Sequence, residues 1–131
     1  MKRVTVKTKG RNDFADITSM VAQEVESSGI EQGSCIVFVP HTTCGITINE
    51  NTDPNVAFDM QHILNGIVPW SGDYRHAEGN SAAHLKASLM GFSVQVLVNE
   101  GRLCLGTWQG IYLCEFDGPR TRQIWIQLFA G

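Results

Sequence analysis

The 131-residue chain has no long run of one charge sign, no CxxC pair, no HExxH or HxH spacing and no apolar stretch near membrane-spanning length. Each absence closes a class of function. Ten basic against thirteen acidic residues, net −3 and spread along the chain, give no surface to track a phosphate backbone, so nucleic acid is not an expected partner. The longest apolar runs, such as Cys35 to Val39, fall far short of a bilayer, and the start lacks a basic segment followed by an apolar one. A soluble, cytoplasmic protein with no membrane partner is expected. Charged residues are few, at 18%, which predicts extra surface buried between subunits. No linker, repeat or low-complexity segment divides the chain, so residues 1–131 are read as one domain.

Cysteines stand at 35, 44, 104 and 114. Cys35, Cys104 and Cys114 lie in strand-like apolar runs and are expected to be reduced core thiols. Cys44 sits near His41 in HTTCG, where a Cys/His nucleophile is conceivable but lacks a third group to orient the histidine.

Hydrophobic periodicity orders the chain. KRVTVKT reads as a half-exposed strand, followed by a turn at Gly10 to Asn12. Asp16 is placed to cap a helix carrying Ile17, Met20, Val21 and Val25, with Gly29 ending it. SCIVFVP is apolar on both faces and predicts a central strand; GITIN alternates as the next. Asp53 followed by Pro54 starts a second helix, whose inner face is expected to be Val56, Met60, Ile63, Leu64 and Ile67, ending before Pro69. Asn80 is expected to cap a third helix, with Ala82, Leu85 and Leu89 inward and Gly91 at its end. The rest is strand: FSVQVLV, RLCLG, WQGIYLCEF and RQIWIQLF. The fold class is α+β, a mainly antiparallel β-sandwich-like core covered by about three helices.

Candidate chemistry gathers at the third helix. Its first turn, from Ser81, offers unpaired N–H groups and the positive end of the helix dipole to an anion such as phosphate or pyrophosphate. His84, one turn in, is the first candidate acid/base, with His76 and Glu78 of the preceding loop beside it. His41, at the end of the central strand next to Thr42 and Thr43, adds a third imidazole. His41, His76 and His84 are the donor types zinc accepts. Asn49 and Glu50 follow a strand directly and suit a magnesium-bound phosphate or a hydroxyl. Glu115 shares parity with Ile111 and Leu113, so a carboxylate is expected on a buried face, with Arg120 its obvious partner. Trp108 and Gln109 suit stacking on, and hydrogen bonding to, a heterocycle.

Three stretches, HTTCGITINEN, YRHAEGNSAAHLKASLMG and GRLCLGTWQGIYLCEFDGPR, in this order, resemble the YjbQ-like family, also labelled secondary thiamine-phosphate synthase. The resemblance implies an α+β fold with a sandwich-like core, assembled as a homotrimer with its polar residues pocketed near subunit contacts. It implies that His41, Asn49, Glu50, His76, Glu78, Asn80, His84, Gln109, Glu115 and Arg120 occupy motif positions, and that the position of Cys44 accepts other small residues. It also implies a weak thiamine-phosphate synthase activity, joining a pyrimidine diphosphate to a thiazole phosphate with loss of pyrophosphate. On that reading the helix start, Arg120 and a divalent ion hold the pyrophosphate while Trp108 stacks on the pyrimidine. The alternative is a trimer that binds a metal or a phosphate ligand without turnover.

Overall fold

The apolar segment at the centre of the chain forms β3 (Gln32–Phe38), and it is the middle strand of the larger of two sheets. The computed structural model describes all of residues 1–131. β3 pairs antiparallel with β5 (Ser93–Asn99) on one side and β8 (Thr121–Ala130) on the other. β1 (Lys2–Lys7) and the two-residue β6 (Arg102–Leu103) close the edges. Alternation puts Cys35, Val37, Val96, Val98, Ile124 and Ile126 on the inner face, where all are buried.

The second sheet has three strands, β2 (Asp13–Asp16), β7 (Gln109–Glu115) and β4 (Cys44–Glu50), with β7 central and every pair antiparallel. Its inner residues Cys44, Ile46, Ile111 and Leu113 meet the larger sheet in one cluster, joined by Ile17 and by Val21 and Val25 of α1 (Thr18–Ser28). At about 25 cal/mol per Å² of apolar surface buried, this cluster is the chief source of stability. The other face of β7 carries Tyr112, Cys114 and the following Phe116 against Ala83 and Ala87 of α3 (Ser81–Met90) and Leu64 of α2 (Pro54–Ile67). The α+β class and the sandwich-like core are therefore observed.

Local departures have local causes. β2 lies between the expected turn and the expected helix cap: Asp16 ends this short edge strand, and its carboxylate accepts from Thr18 N at 3.0 Å and Thr18 Oγ1 at 2.6 Å, with Ile17 at the cap position. Asp53 does cap α2, accepting from Asn55 N at 2.9 Å, and Gly29 ends α1 in the left-handed region. The stripe expected on α3 is rotated. Leu85 and Leu89 are 51% and 54% exposed, while Ala82, Ala83 and Ala87 face inward, where small side chains let the helix lie close on the sheet, and Lys86 is buried with its ammonium bonded to Asn65 Oδ1. Gly45 of β4 sits under Met90 and Ala87, where any Cβ would collide. On α2 only Leu64 is buried; Ile63 and Ile67 point to solvent. Cys104 is exposed, contrary to expectation, because β6 ends before it at the sheet edge. No helix is long and apolar enough to cross a membrane.

Candidate functional site

β4 and β7 pair in a register that sets Cys44 opposite Glu115 at one end and Glu50 opposite Gln109 at the other. This splits the candidate residues. Six steps along a strand are roughly 20 Å, so Asn49, Glu50, Trp108 and Gln109 stand at the far end from His41, Glu115 and the start of α3. At that far end they are locally engaged: Asn49 Oδ1 accepts from Glu50 N at 2.7 Å, Gln109 Oε1 accepts from Gly106 N at 2.8 Å, and Glu50 O accepts from Tyr112 Oη at 3.1 Å. Trp108 is 60% exposed. Within one chain they form no common site with the histidines.

At the near end is a cavity of about 380 Å³ lined by no hydrophobic residue. His41, Thr42 and Thr43 enter from the link between β3 and β4, His76, Glu78 and Asn80 from the segment before α3, and His84 from α3. Asp117, Arg120 and Arg122 come from the turn joining β7 to β8 and from β8 itself. Ser81 opens α3 beside the cavity but does not line it. The rings of His76 and His84 meet edge to face, with centroids 5.5 Å apart. Nε2 of His76 lies 4.0 Å from Glu78 Oε1, beyond hydrogen-bond reach.

Beneath the cavity lies a buried ion pair. Glu115 is fully buried, as its parity predicts, but its partner is Arg122, not Arg120. Arg122 shares inward parity with Ile124 and Ile126, which carries its guanidinium under the turn, whereas Arg120 lies in the turn and folds back on Asp117. Arg122 Nε donates to Glu115 Oε1 at 2.8 Å and Nη2 donates to Glu115 Oε2 and, at 2.8 Å, to Thr43 Oγ1. Thr8 Oγ1, at 2.8 Å, and the N–H groups of Phe116 and Asp117 complete the carboxylate's shell. Burial alone would raise the Glu115 pKa, but these hydrogen bonds and the Arg122 charge outweigh it and hold the carboxyl below its usual range. Gly118 makes this possible: a Cβ there would press on Gly10 O and Glu115 Cγ.

The two arginines are held alike. Arg120 donates through Nε to Asp117 O at 2.7 Å and through Nη2 to Asp117 Oδ2 at 3.1 Å, while Arg122 uses the same edge on Glu115. In each, Nη1 makes no bond to protein. Two pre-oriented cationic donors remain, in a cavity that both residues line.

His41 is differently placed from the other histidines. Its Nε2 accepts from Gln123 N at 2.9 Å, which assigns the neutral ring's proton to Nδ1. Burial, then the Arg122 charge, lower its pKa, against weaker opposition from Glu115. A ring fixed this way has its free lone pair already used. No three His, Cys, Asp or Glu side chains are arranged as the ligands of a metal ion. Cys44 is fully buried in the core, with its thiol pushed up to about 12 by burial and then by Glu115, which overturns the nucleophile reading. Asn80 stands at the cap position of α3, but its side chain makes no capping bond and donates instead to Asp117 Oδ2 at 2.8 Å.

Asp117 and Arg122 are the site residues that sequence reasoning missed. For Arg122 the signal was available, since the alternation of RQIWIQLF puts it on the buried face with Ile124 and Ile126. Asp117 in a DG turn carries the signature of an ordinary turn residue and nothing more.

The comparisons agree with this architecture. The family model for UPF0047 protein YjbQ-like matches residues 2–131. The chain belongs to the YjbQ-like UPF0047 family. It is 50% identical to the UPF0047 protein YugU of Bacillus subtilis, over 99% of each chain. It is 43% identical to the UPF0047 protein MJ1081 of Methanocaldococcus jannaschii, over 95% of this chain and 91% of that one. A crystal structure of an uncharacterised YjbQ/UPF0047 family protein from Clostridium acetobutylicum superposes with a TM-score of 0.97 at 50% identity, covering 98% of this chain and all of that one. A protein of unknown function from Sulfolobus solfataricus does so at 0.95 with 35% identity, over 99% and 96%. The UPF0047 fold thus persists where two thirds of the residues differ.

Proposed function

We propose that the cavity binds the phosphoryl group of a small phosphorylated molecule and that His84 and His76 serve it as acid and base. The observation that carries this reading is the pair of guanidiniums, each gripped along one edge with Nη1 left free in a cavity without hydrophobic lining. Fixed cationic donors of this kind stabilise phosphoryl oxygens without reorganising. The first-turn N–H groups of Ser81 and Ala82, which find no acceptor in the protein, add positive potential from α3.

The reaction associated with the family would fit such a site in part. In it the C–O bond of a pyrimidine diphosphate breaks, a C–N bond to a thiazole phosphate forms and pyrophosphate leaves with the bond electrons. Arg120 and Arg122 are suited to the departing pyrophosphate, and His84 to a proton on its oxygen. Trp108, at the other end of β7, gives no stacking platform to the same chain's cavity. A divalent metal is not needed for this reading and has no complete ligand set here; none of these steps uses one. Thiamine-phosphate formation is measured with the wild-type chain and with His84→Ala, alongside calorimetric titration with inorganic phosphate and pyrophosphate. The reading expects saturable anion binding in both proteins and product only in the wild type. Anion binding without product from a broad panel of phosphate esters would leave a phosphate-binding protein without turnover.

A further inference from the structure

The cavity is not a uniform set of donors. Asp117 Oδ2 takes both of that side chain's protein bonds, from Asn80 Nδ2 at 2.8 Å and Arg120 Nη2 at 3.1 Å. Oδ1 takes none. The Asp117 side chain is 16% exposed and lines the cavity, and Oδ1 is neither buried nor bonded, so its lone pairs remain accessible. The single buried side-chain atom without a partner in the whole protein is its neighbour, Asn80 Oδ1. That amide cannot be turned over, because Asn80 Oδ1 would then face Asp117 Oδ2. The lining of one cavity therefore holds an unpaired carboxylate acceptor as well as the two arginines whose Nη1 groups make no bond to protein.

This arrangement is unfavourable to a fully deprotonated anion. An oxygen lone pair set against the Asp117 carboxylate is repelled, whatever the arginines gain elsewhere. An anion that keeps one proton converts the same contact into a charge-assisted hydrogen bond. Sulfate carries no proton near neutral pH, whereas a phosphate monoester loses its second proton only around pH 6 and can bind as the monoanion. Resting on the reading of the cavity as a phosphoryl site, we propose that it selects singly protonated phosphate or phosphate monoester over sulfate, with Asp117 Oδ1 accepting the ligand's O–H and the two Nη1 groups donating to its bare oxygens.

The test is isothermal titration of the full chain with inorganic phosphate and with sulfate at pH 7 and matched ionic strength. Phosphate is expected to bind about tenfold or more tightly, the worth of one hydrogen bond to a charged group. In Asp117→Asn the new carbonyl oxygen can still accept from Asn80 and Arg120, which turns an NH₂ donor toward the cavity; affinities for the two anions should then become about equal. Equal binding by the wild type overturns the proposal, and so does an undiminished phosphate preference in Asp117→Asn. If neither anion binds, the phosphoryl reading itself falls, and the selectivity with it. The wild-type comparison decides the matter even where the variant folds poorly.

Discussion

The guanidinium of Arg122 lies edge-on against the carboxylate of Glu115, closing the end of the sandwich where β7 leaves for the turn and β8 returns. Glu115 is fully buried and Arg122 is 5% exposed, so neither charge has much water to fall back on. Desolvation of both is offset because every strong acceptor direction is used: Thr8, two backbone N–H groups and Arg122 surround the carboxylate, and Thr43 takes a further donor from Arg122. The pair couples the core to the cavity, since the same side chain that neutralises Glu115 also lines the site.

Removing one partner should therefore be costly. Glu115→Ala is expected to lose about 3–5 kcal/mol, the range for leaving a buried charge unpaired, read from urea denaturation at pH 7. Acid should act in the same direction. Because the folded carboxyl is held below its usual value of 4.5, the unfolded chain binds this proton more readily. The stabilisation is complete above about pH 4.5 and is lost as pH falls through the folded value. Glu115→Gln should show a flatter stability profile over that acid range than the wild type; parallel profiles would sink the assignment.

Arginine geometry at the cavity makes a separate prediction. Arg122→Lys keeps the charge but cannot grip Glu115 along one edge while offering a third nitrogen. Phosphate affinity is expected to fall about 10- to 100-fold, equivalent to about 1.5–3 kcal/mol for a hydrogen bond to a charged group. Arg120→Lys should cost less, since Arg120 is half exposed. Calorimetry with inorganic phosphate distinguishes the two, and an equal loss in both would contradict the difference in burial.

If His84 moves a proton during turnover, His84→Ala should lower kcat about 10²- to 10⁴-fold while leaving phosphate affinity nearly unchanged. His76→Ala should behave similarly but more mildly, because its ring is anchored only by the edge contact with His84. A matched loss in kcat and in anion affinity would instead make both histidines ligand-binding residues.

Metal addition separates His41 from the other imidazoles. With its Nε2 accepting from Gln123 N, His41 cannot ligate without breaking that bond. Zinc is therefore expected to leave Tm within a degree or so of the metal-free value, because binding that stabilises the fold scales with occupancy. A rise of several degrees that His76→Ala abolishes would show that the side chains rearrange around the ion.

Much of this was legible in the residues, and the failures are instructive. Strand alternation placed Glu115 on the buried face, and the same rule applied to Arg122 would have named its partner; sequence proximity pointed to Arg120 instead. His41, His76, Glu78, Asn80 and His84 share one cavity although the first is far from the others in sequence, because the link from β3 to β4 carries His41 to the start of α3. Asn49 and Gln109 could not be separated from them by sequence, since only the antiparallel register of β4 and β7 reveals that they stand at the other end. Helix faces were the weakest reading. On α3 Leu85 and Leu89 mark the outer side, and the alanines mark the inner one, where the helix packs closely on Gly45.

Those misplaced side chains support a prediction about assembly. Phe58, Ile63 and Ile67 on α2 are 60–67% exposed, and Leu85 and Leu89 on α3 more than half exposed, which is a large apolar display for an isolated chain. Fully burying a side chain of this size is worth about 1.5–3 kcal/mol, and α2, at 14 residues, offers about 21 Å of contact length. The homotrimer implied by the resemblance would cover these helices. Sedimentation of the wild-type chain should then give three times the monomer mass at micromolar concentration, and Ile67→Glu combined with Leu89→Glu should reduce it to one. Neither substitution removes a core contact, so the far-UV spectrum should be retained. A wild-type chain that sediments as a monomer, or a double variant that keeps the full mass, would move the subunit contacts elsewhere, and the bare outer face of the five-stranded sheet, with Phe38, Leu97 and Phe129 exposed, would be the next surface to test.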